Sequence, residues 1–184
     1  MDIFSHGLWA AAAAAAVNHK AKKRLKIWLA ALWGILPDIF TFSGMFIWFG
    51  WGLLFGGKSP SGFPYPEETE LMPADTSLIF RLTAFLYGFS HSLVIFLIFF
   101  GLGYLIFKRP LWEMGGWLLH ILIDIPTHSL QLFPTPFSWP LFNFKFNGLD
   151  WFTPWLMVLD YALLAIVYLY FFIRWRRLKN KANP

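Results

Sequence analysis

Residues 117–130, Trp117-Leu-Leu-His120-Ile-Leu-Ile-Asp124-Ile-Pro126-Thr-His128-Ser-Leu130, decide how the chain is read. The stretch is almost wholly apolar, yet it carries two imidazoles and a carboxylate. Four-residue spacing stacks His120 and Asp124 on one helix face. Such groups are costly in an apolar segment unless they are paired or bound to a metal. The stretch therefore reads as a ligand-bearing helix inside a membrane. Pro126 has no N–H for the carbonyl of Leu122, so a kink is expected there, with His128 beyond it.

The composition around this stretch agrees. Of 184 residues, 58% are hydrophobic and 21% aromatic, and the mean hydropathy is +0.54. Charged residues make up 14%, well below the rough quarter usual in soluble domains. There is no cysteine, which excludes disulfides and thiolate metal sites and leaves histidine and carboxylate as ligands. The net charge of +5 comes from residues beside apolar runs, which fits membrane orientation rather than nucleic-acid binding. The first residues lack the basic start of a secretory signal.

Residues 3–19 predict a short helix with seven consecutive alanines, Ala10 to Ala16. Alanine is the best helix former and lets helices approach closely in a bilayer. At ~1.5 Å per residue the segment is ~25 Å long, just short of a full span. A basic cluster follows at Lys20, Lys22, Lys23, Arg24 and Lys26. The apolar run 27–57 is broken near Leu36-Pro37-Asp38 and reads as one kinked helix or as a helix followed by an interfacial segment. Residues 58–77 are acidic and rich in proline, the pattern of a loop. Further spans are expected at 78–107, 111–133 and 154–173. Residues 134–150 hold prolines and aromatics, the pattern of an interfacial loop, and 174–184 form a basic tail. The whole predicts an all-α, single integral membrane domain over 1–184, a bundle of about five transmembrane helices. The basic regions alternate with the loops 58–77 and 134–150. Under the positive-inside rule the N-terminus is outside and the C-terminus inside, as in a multi-pass inner-membrane protein.

The candidate metal ligands are His6, Asp38, His91, His120, Asp124 and His128. Counted from the cytoplasmic ends at ~1.5 Å per residue, Asp38 lies ~16 Å deep, His120 and Asp124 ~14–20 Å, and His6 ~21 Å. His91, counted from the outer end, also falls near the middle. Four helices thus carry candidates at one level, although depth says nothing of which faces point inward. Each has a plainer role open to it. His6 caps a helix, Asp38 satisfies backbone loosened by Pro37, His91 joins Ser90 and Ser92 as interhelical glue, His120 and Asp124 pair with each other, and His128 sits at the interface. His19 reads as interfacial. Asp160, a lone acid in the last span, has Arg81 or a histidine as its candidate partner. Histidine and aspartate without cysteine suit zinc, with manganese or iron as alternatives, as one or two ions. An open coordination position would lower the pKa of a bound water toward ~7. A carboxylate left over, Asp38 or Asp124, is the candidate catalytic base or the partner of a histidine.

At these residues the chain resembles the bacterial and archaeal membrane-bound metal-dependent hydrolases, small multi-span inner-membrane proteins. The matching pieces are Phe4-Ser-His6-Gly, Gly34-Ile-Leu-Pro37-Asp38, His91-Ser92 and His120-x-x-x-Asp124. Their order is also similar to that of zinc-dependent phospholipase C and the single-strand-specific zinc nucleases, whose three-metal cluster uses a terminal amine and a second His-x-x-x-acid pair. This chain has no second pair, because Leu132 stands four residues after His128, so the resemblance implies one or two metals. Ser59-Pro60-Ser61-Gly62 is similar to a lipid-phosphatase signature, but Phe63 stands where that signature needs histidine.

The expected function is hydrolysis of a phosphodiester or ester bond in a lipid or lipid-linked substrate reached from the bilayer. Two alternatives are a metal-ion or proton transporter or channel, and a non-catalytic structural membrane protein. The cytoplasmic half offers no second tier of polar residues for a transport path. Alanine at His120 or Asp124 separates the remaining two. Helix glue predicts lost folding, whereas an enzyme predicts a folded, metal-poor protein.

Overall fold

Alanine-rich α1 (Ile3–Asn18) is the first of six α-helices in a computed structural model that describes residues 1–19, 24–56, 78–131 and 133–182. Asp2 caps it by accepting from the amides of Phe4 and Ser5, groups a helix start otherwise leaves unpaired. The Asn18 side chain then bonds the Leu25 backbone in both directions, at 2.9 and 2.6 Å. This fastens α1 to the start of α2 (Ile27–Phe55). Lys20, Lys22, Lys23 and the expected loop 58–77 lie outside the described residues.

The run from 27 is one helix, with Pro37 inside it. The expected span 78–107 is not continuous. It is α3 (Leu78–Ser90) and α4 (Leu93–Phe107), bent by 61° at His91-Ser92. Ser92 causes the break: its backbone is extended and its hydroxyl caps α4 by accepting from the amides of Val94 and Ile95. The same hydroxyl donates to the Trp139 carbonyl, and the Leu93 amide donates to Phe137. The segment expected as a span over 111–133 also differs. A 3₁₀ turn (Trp112–Met114) leads into α5 (Gly115–Thr127), only 13 residues long. Pro126 comes one residue before the helix ends, rather than kinking a longer one. The carbonyls of Pro126, Thr127 and His128 accept instead from Leu149, Trp151 and Gly148. The end of the 134–150 loop is thereby tied over the end of α5. Finally, α6 (Pro154–Ala182) continues as helix through the residues expected as a basic tail.

The described residues are all helix, turn or irregular chain, without a strand. By length and composition α2 and α6 can each cross a membrane, and the bent pair α3–α4 passes the same test together, so two to three helices qualify. At ~1.5 Å per residue α1 and α5 are ~24 and ~20 Å long, short of a ~30 Å hydrocarbon core.

Glycines set how closely the first helices pack. A Cβ on Gly34 would lie 2.7 Å from Ala10 Cβ and 2.9 Å from the His6 carbonyl. One on Gly116 would run into the carbonyl oxygen of Ala30. Small residues therefore bring α1, α2 and α5 to backbone contact, the device bilayer helices use for close approach. Beside them Ile95, Phe96, Met114, Trp117 and Ile121 form a buried apolar cluster between α4 and α5. Trp117 is held there by donating its indole N–H to the Ser90 carbonyl at 2.6 Å.

Candidate metal centre

Close packing at Gly34 and Gly116 places polar side chains of α1, α2, α3–α4 and α5 at one point. Asp38 of α2, His91 at the α3–α4 break, and His120 and Asp124 of α5 each offer a ligand atom, and these four atoms lie within 4.8 Å of one another. All four residues are buried. Such a group could hold a metal ion.

The hydrogen bonds behind the rings give the arrangement its chemical sense. His120 Nδ1 is 2.7 Å from the Gly34 carbonyl. His91 Nδ1 is 3.2 Å from the Tyr87 carbonyl and 2.8 Å from Ser90 Oγ. A carbonyl has no hydrogen to give, so a neutral His120 ring carries its proton on Nδ1 and presents a bare lone pair on Nε2, whereas His91 Nδ1 lies between a carbonyl that only accepts and the Ser90 hydroxyl, which can give or take a proton. The two Nε2 atoms then face each other at 3.0 Å. His120 Nε2 lies 3.1 Å from Asp124 Oδ2, and His91 Nε2 lies 3.4 Å from Asp38 Oδ1. Four electron-rich atoms converging in a buried space repel unless a cation or protons lie among them. A metal fits this donor set, and carbonyl bonds to Nδ1 are the usual outer support of a metal-binding histidine.

Asp124 has two differently occupied faces. Oδ2 looks toward His91 and His120. Oδ1 lies 2.6 Å from the Met1 amine, 2.9 Å from His6 Nε2 and 3.5 Å from His128 Nδ1. His6 stacks on His120 with ring centroids 3.7 Å apart. His6 Nε2 has Asp124 Oδ1 as its neighbour, whereas His6 Nδ1 and Asp38 Oδ2 have no hydrogen-bond partner. His128, just past α5, has Nδ1 3.1 Å from the Asp124 carbonyl. The structure thus gathers Asp38, His91, His120 and Asp124, and sets His6 and His128 against the other oxygen of Asp124.

Asp160 joins neither Arg81 nor a histidine. It accepts from Ser5 Oγ at 2.5 Å and Trp9 Nε1 at 2.7 Å. Ser5 and Trp9 sit one turn apart on α1 and so share a face. His19 receives a contact from Arg174 at 3.2 Å.

Sequence reasoning did not find the partners behind the ligands. Thr41 bonds Ser90 Oγ at 2.7 Å, and its place three residues after Asp38 was the available signal. The carbonyls of Gly34 and Tyr87 and the amine of Met1 carry no side-chain signal at all. Comparison with protein-family models, with curated proteins and with solved structures finds no match to this chain.

Proposed function

We propose that the protein is a membrane-embedded, metal-dependent hydrolase acting on a phosphodiester or ester bond of a lipid or lipid-linked substrate. The observation that carries this reading is the convergence of the Nε2 atoms of His91 and His120 with two buried carboxylates, all within 4.8 Å of one another. Helix glue would be expected to end in separate donor–acceptor pairs, whereas here two imidazole nitrogens and two carboxylates crowd one buried point. Two imidazoles and two carboxylates suit zinc, with manganese or iron as alternatives. Asp38, His91, His120 and Asp124 would hold one ion, and His6 and His128 beside Asp124 Oδ1 support a reading of one or two. When bound, such a cation supplies Lewis acidity and an acidified water for hydrolysis.

The rest of the chemistry falls to the chain. The Gly34 carbonyl fixes the His120 tautomer through Nδ1, and the Tyr87 carbonyl and Ser90 hydroxyl orient His91. Asp38 Oδ2, a buried oxygen without a hydrogen-bond partner, is the proposed proton acceptor. The matching motifs support membership of the membrane-bound metal-dependent hydrolases. A site among helices is reached laterally by a lipid headgroup more readily than by a soluble polymer. Alternation of basic and acidic connections supports five crossings, by α1, α2, α3–α4, α5 and α6, with the N-terminus out, the C-terminus in, and an inner-membrane location.

The test is metal content by plasma mass spectrometry on detergent-purified protein, wild type beside His120→Ala and Asp124→Ala. About one or two equivalents in wild type, lost in folded variants, supports the site and justifies a lipid-hydrolysis panel. No metal in wild type after reconstitution, or no turnover of any lipid by loaded protein, sinks the reading.

A further inference from the structure

Cations gather where the apolar runs stop. The apolar run of α2 begins at Ile27, directly after Lys26, and that of α6 ends at Ile173, directly before Arg174. Asn18, the last residue of α1, bonds the Leu25 backbone, and Arg174 donates to Nδ1 of His19 at 3.2 Å. These contacts bring the end of α1, the start of α2 and the end of the α6 apolar run to one level. Arg24 and Lys26 flank Leu25 and are exposed, as are Arg174 and Arg177. Glu113 is an acid at this end, and its carboxylate accepts from the Lys26 amide at 3.3 Å. No aspartate or glutamate follows Asp160 in the chain.

Arg174 is held in place without being neutralised. Its guanidinium donates to the Tyr170 hydroxyl at 2.9 Å and to His19, neither of which brings a negative charge. Because His19 accepts on Nδ1, its neutral ring carries the proton on Nε2, a further donor. Arg177, three residues on, shares the helix face of Arg174. Arg176 and Lys179 turn to aromatic rings instead, 4.8 Å from the Phe172 centroid and 5.5 Å from that of Trp175. The level of this group decides its partner. From Arg174 to Arg177 the helix rises ~5 Å, within one headgroup layer of roughly 5–7 Å. Around helices long and apolar enough to cross a membrane, the anions at the edge of the hydrocarbon are lipid phosphates. The guanidinium fork matches a phosphate in shape as well as charge. Several cations at one point favour a lipid of net negative charge over a zwitterionic one. We infer that Arg174, Arg177 and His19, with Arg24 and Lys26 beside them, bind the phosphate of an anionic lipid headgroup. This rests on α2 and α6 crossing a bilayer, and not on the hydrolase chemistry.

The experiment is native mass spectrometry of the full-length protein, released from detergent and titrated with dioleoylphosphatidylglycerol or dioleoylphosphatidylcholine. One basic residue at a membrane surface is worth about fivefold in affinity for anionic lipid. Wild type should therefore bind the first phosphatidylglycerol at least about 25-fold tighter than phosphatidylcholine, and Arg174→Gln/Arg177→Gln should lose about 25-fold of that preference. Lys108→Gln/Arg109→Gln, which removes the same charge from exposed positions at the end of α4, should leave the preference intact. Equal affinity for the two lipids in wild type, or an undiminished preference in folded Arg174→Gln/Arg177→Gln, overturns the inference. So does an equal loss in Lys108→Gln/Arg109→Gln, which would make the effect one of overall charge. Displacement of the lipid by equimolar inorganic phosphate would assign the site to a soluble anion and overturn it as well. Should the double variant unfold, Arg177→Gln alone is read in the same way, with a loss of about fivefold. Protein that stays monodisperse without detergent or lipid would remove the bilayer reading and this site with it. Metal content should be the same in every variant, so the hydrolase reading stands or falls on its own test.

Discussion

Asp160 on α6 and Asp124 on α5 are both buried carboxylates on apolar helices, and they keep opposite company. Asp160 is met by donors, the Ser5 hydroxyl and the Trp9 indole. Its two oxygens are satisfied, and it joins α6 to α1. Asp124 Oδ2 is met by the Nε2 atoms of His91 and His120, and the Nδ1 of His120 is engaged with the Gly34 carbonyl on the far side of its ring. A carboxylate with donors fastens helices, whereas one among acceptors makes a place for a cation. The two environments share α1: Ser5 and Trp9 face α6, and His6 between them faces α5. Because α6 is only 11% buried over its apolar window, against 33% for α2, polar pins rather than packing area hold it. Tyr161 donating to Asp2 and Tyr168 donating to the Leu8 carbonyl add to them.

The contrast breaks most visibly at Asp124. Asp124→Asn replaces an acceptor oxygen with an N–H₂ group and should weaken metal binding by more than about 100-fold, beyond the range for outer partners, while the protein stays monodisperse. Titration with zinc against a chelator measures this, and retained tight binding would remove Asp124 from the site. Asp160→Ala should do the reverse. It strands the buried Ser5 hydroxyl and the half-buried Trp9 indole, so thermal or denaturant unfolding should show a loss of about 1–3 kcal/mol, with metal stoichiometry unchanged. Metal loss in a still-folded Asp160→Ala would mean that the two regions are not separate.

Smaller changes sharpen the same comparison. Ser90→Ala removes the hydroxyl behind His91 Nδ1 and should weaken metal binding about tenfold, with Tyr87 still fixing the tautomer. Equal affinity in this variant and wild type would show that the Tyr87 carbonyl alone suffices. Tyr161→Phe removes an exposed hydrogen bond to Asp2 and should change stability by no more than about 0.5 kcal/mol. A larger loss in unfolding measurements would make the α1–α6 seam more cooperative than its pairwise bonds.

Much of the helical framework was legible because hydropathy acts locally. The alanine run marks a helix from the residues alone, and the apolar content of 27–55 and 154–173 marks long ones, whereas the cap of α1 is Asp2 rather than His6. The break at His91-Ser92 was not legible. Leu and Phe continue on both sides of it, and the interruption is supported by residues 137–139 far along the chain. The shortness of α5 was missed for a like reason. Its end depends on amides of residues 148–151 reaching back to free carbonyls. The basic residues after 173 continue α6 because lysine and arginine are good helix formers, although their charge ends the apolar run that marks the span.

By itself the sequence determined the chemistry available: apolar helices, no sulfur ligands, and histidines and aspartates within apolar segments, with a four-residue spacing at His120 and Asp124. Only the tertiary structure decided which of these meet. It placed Gly34 and Tyr87 carbonyls behind the imidazoles, divided Asp124 between two sets of neighbours, and gave Asp160 to Ser5 and Trp9 rather than to a cation. The physical reason is that periodicity fixes a residue's height and face on its own helix. What lies across the gap depends on how closely glycine and alanine let the next helix approach, and on partners as many as 160 residues away.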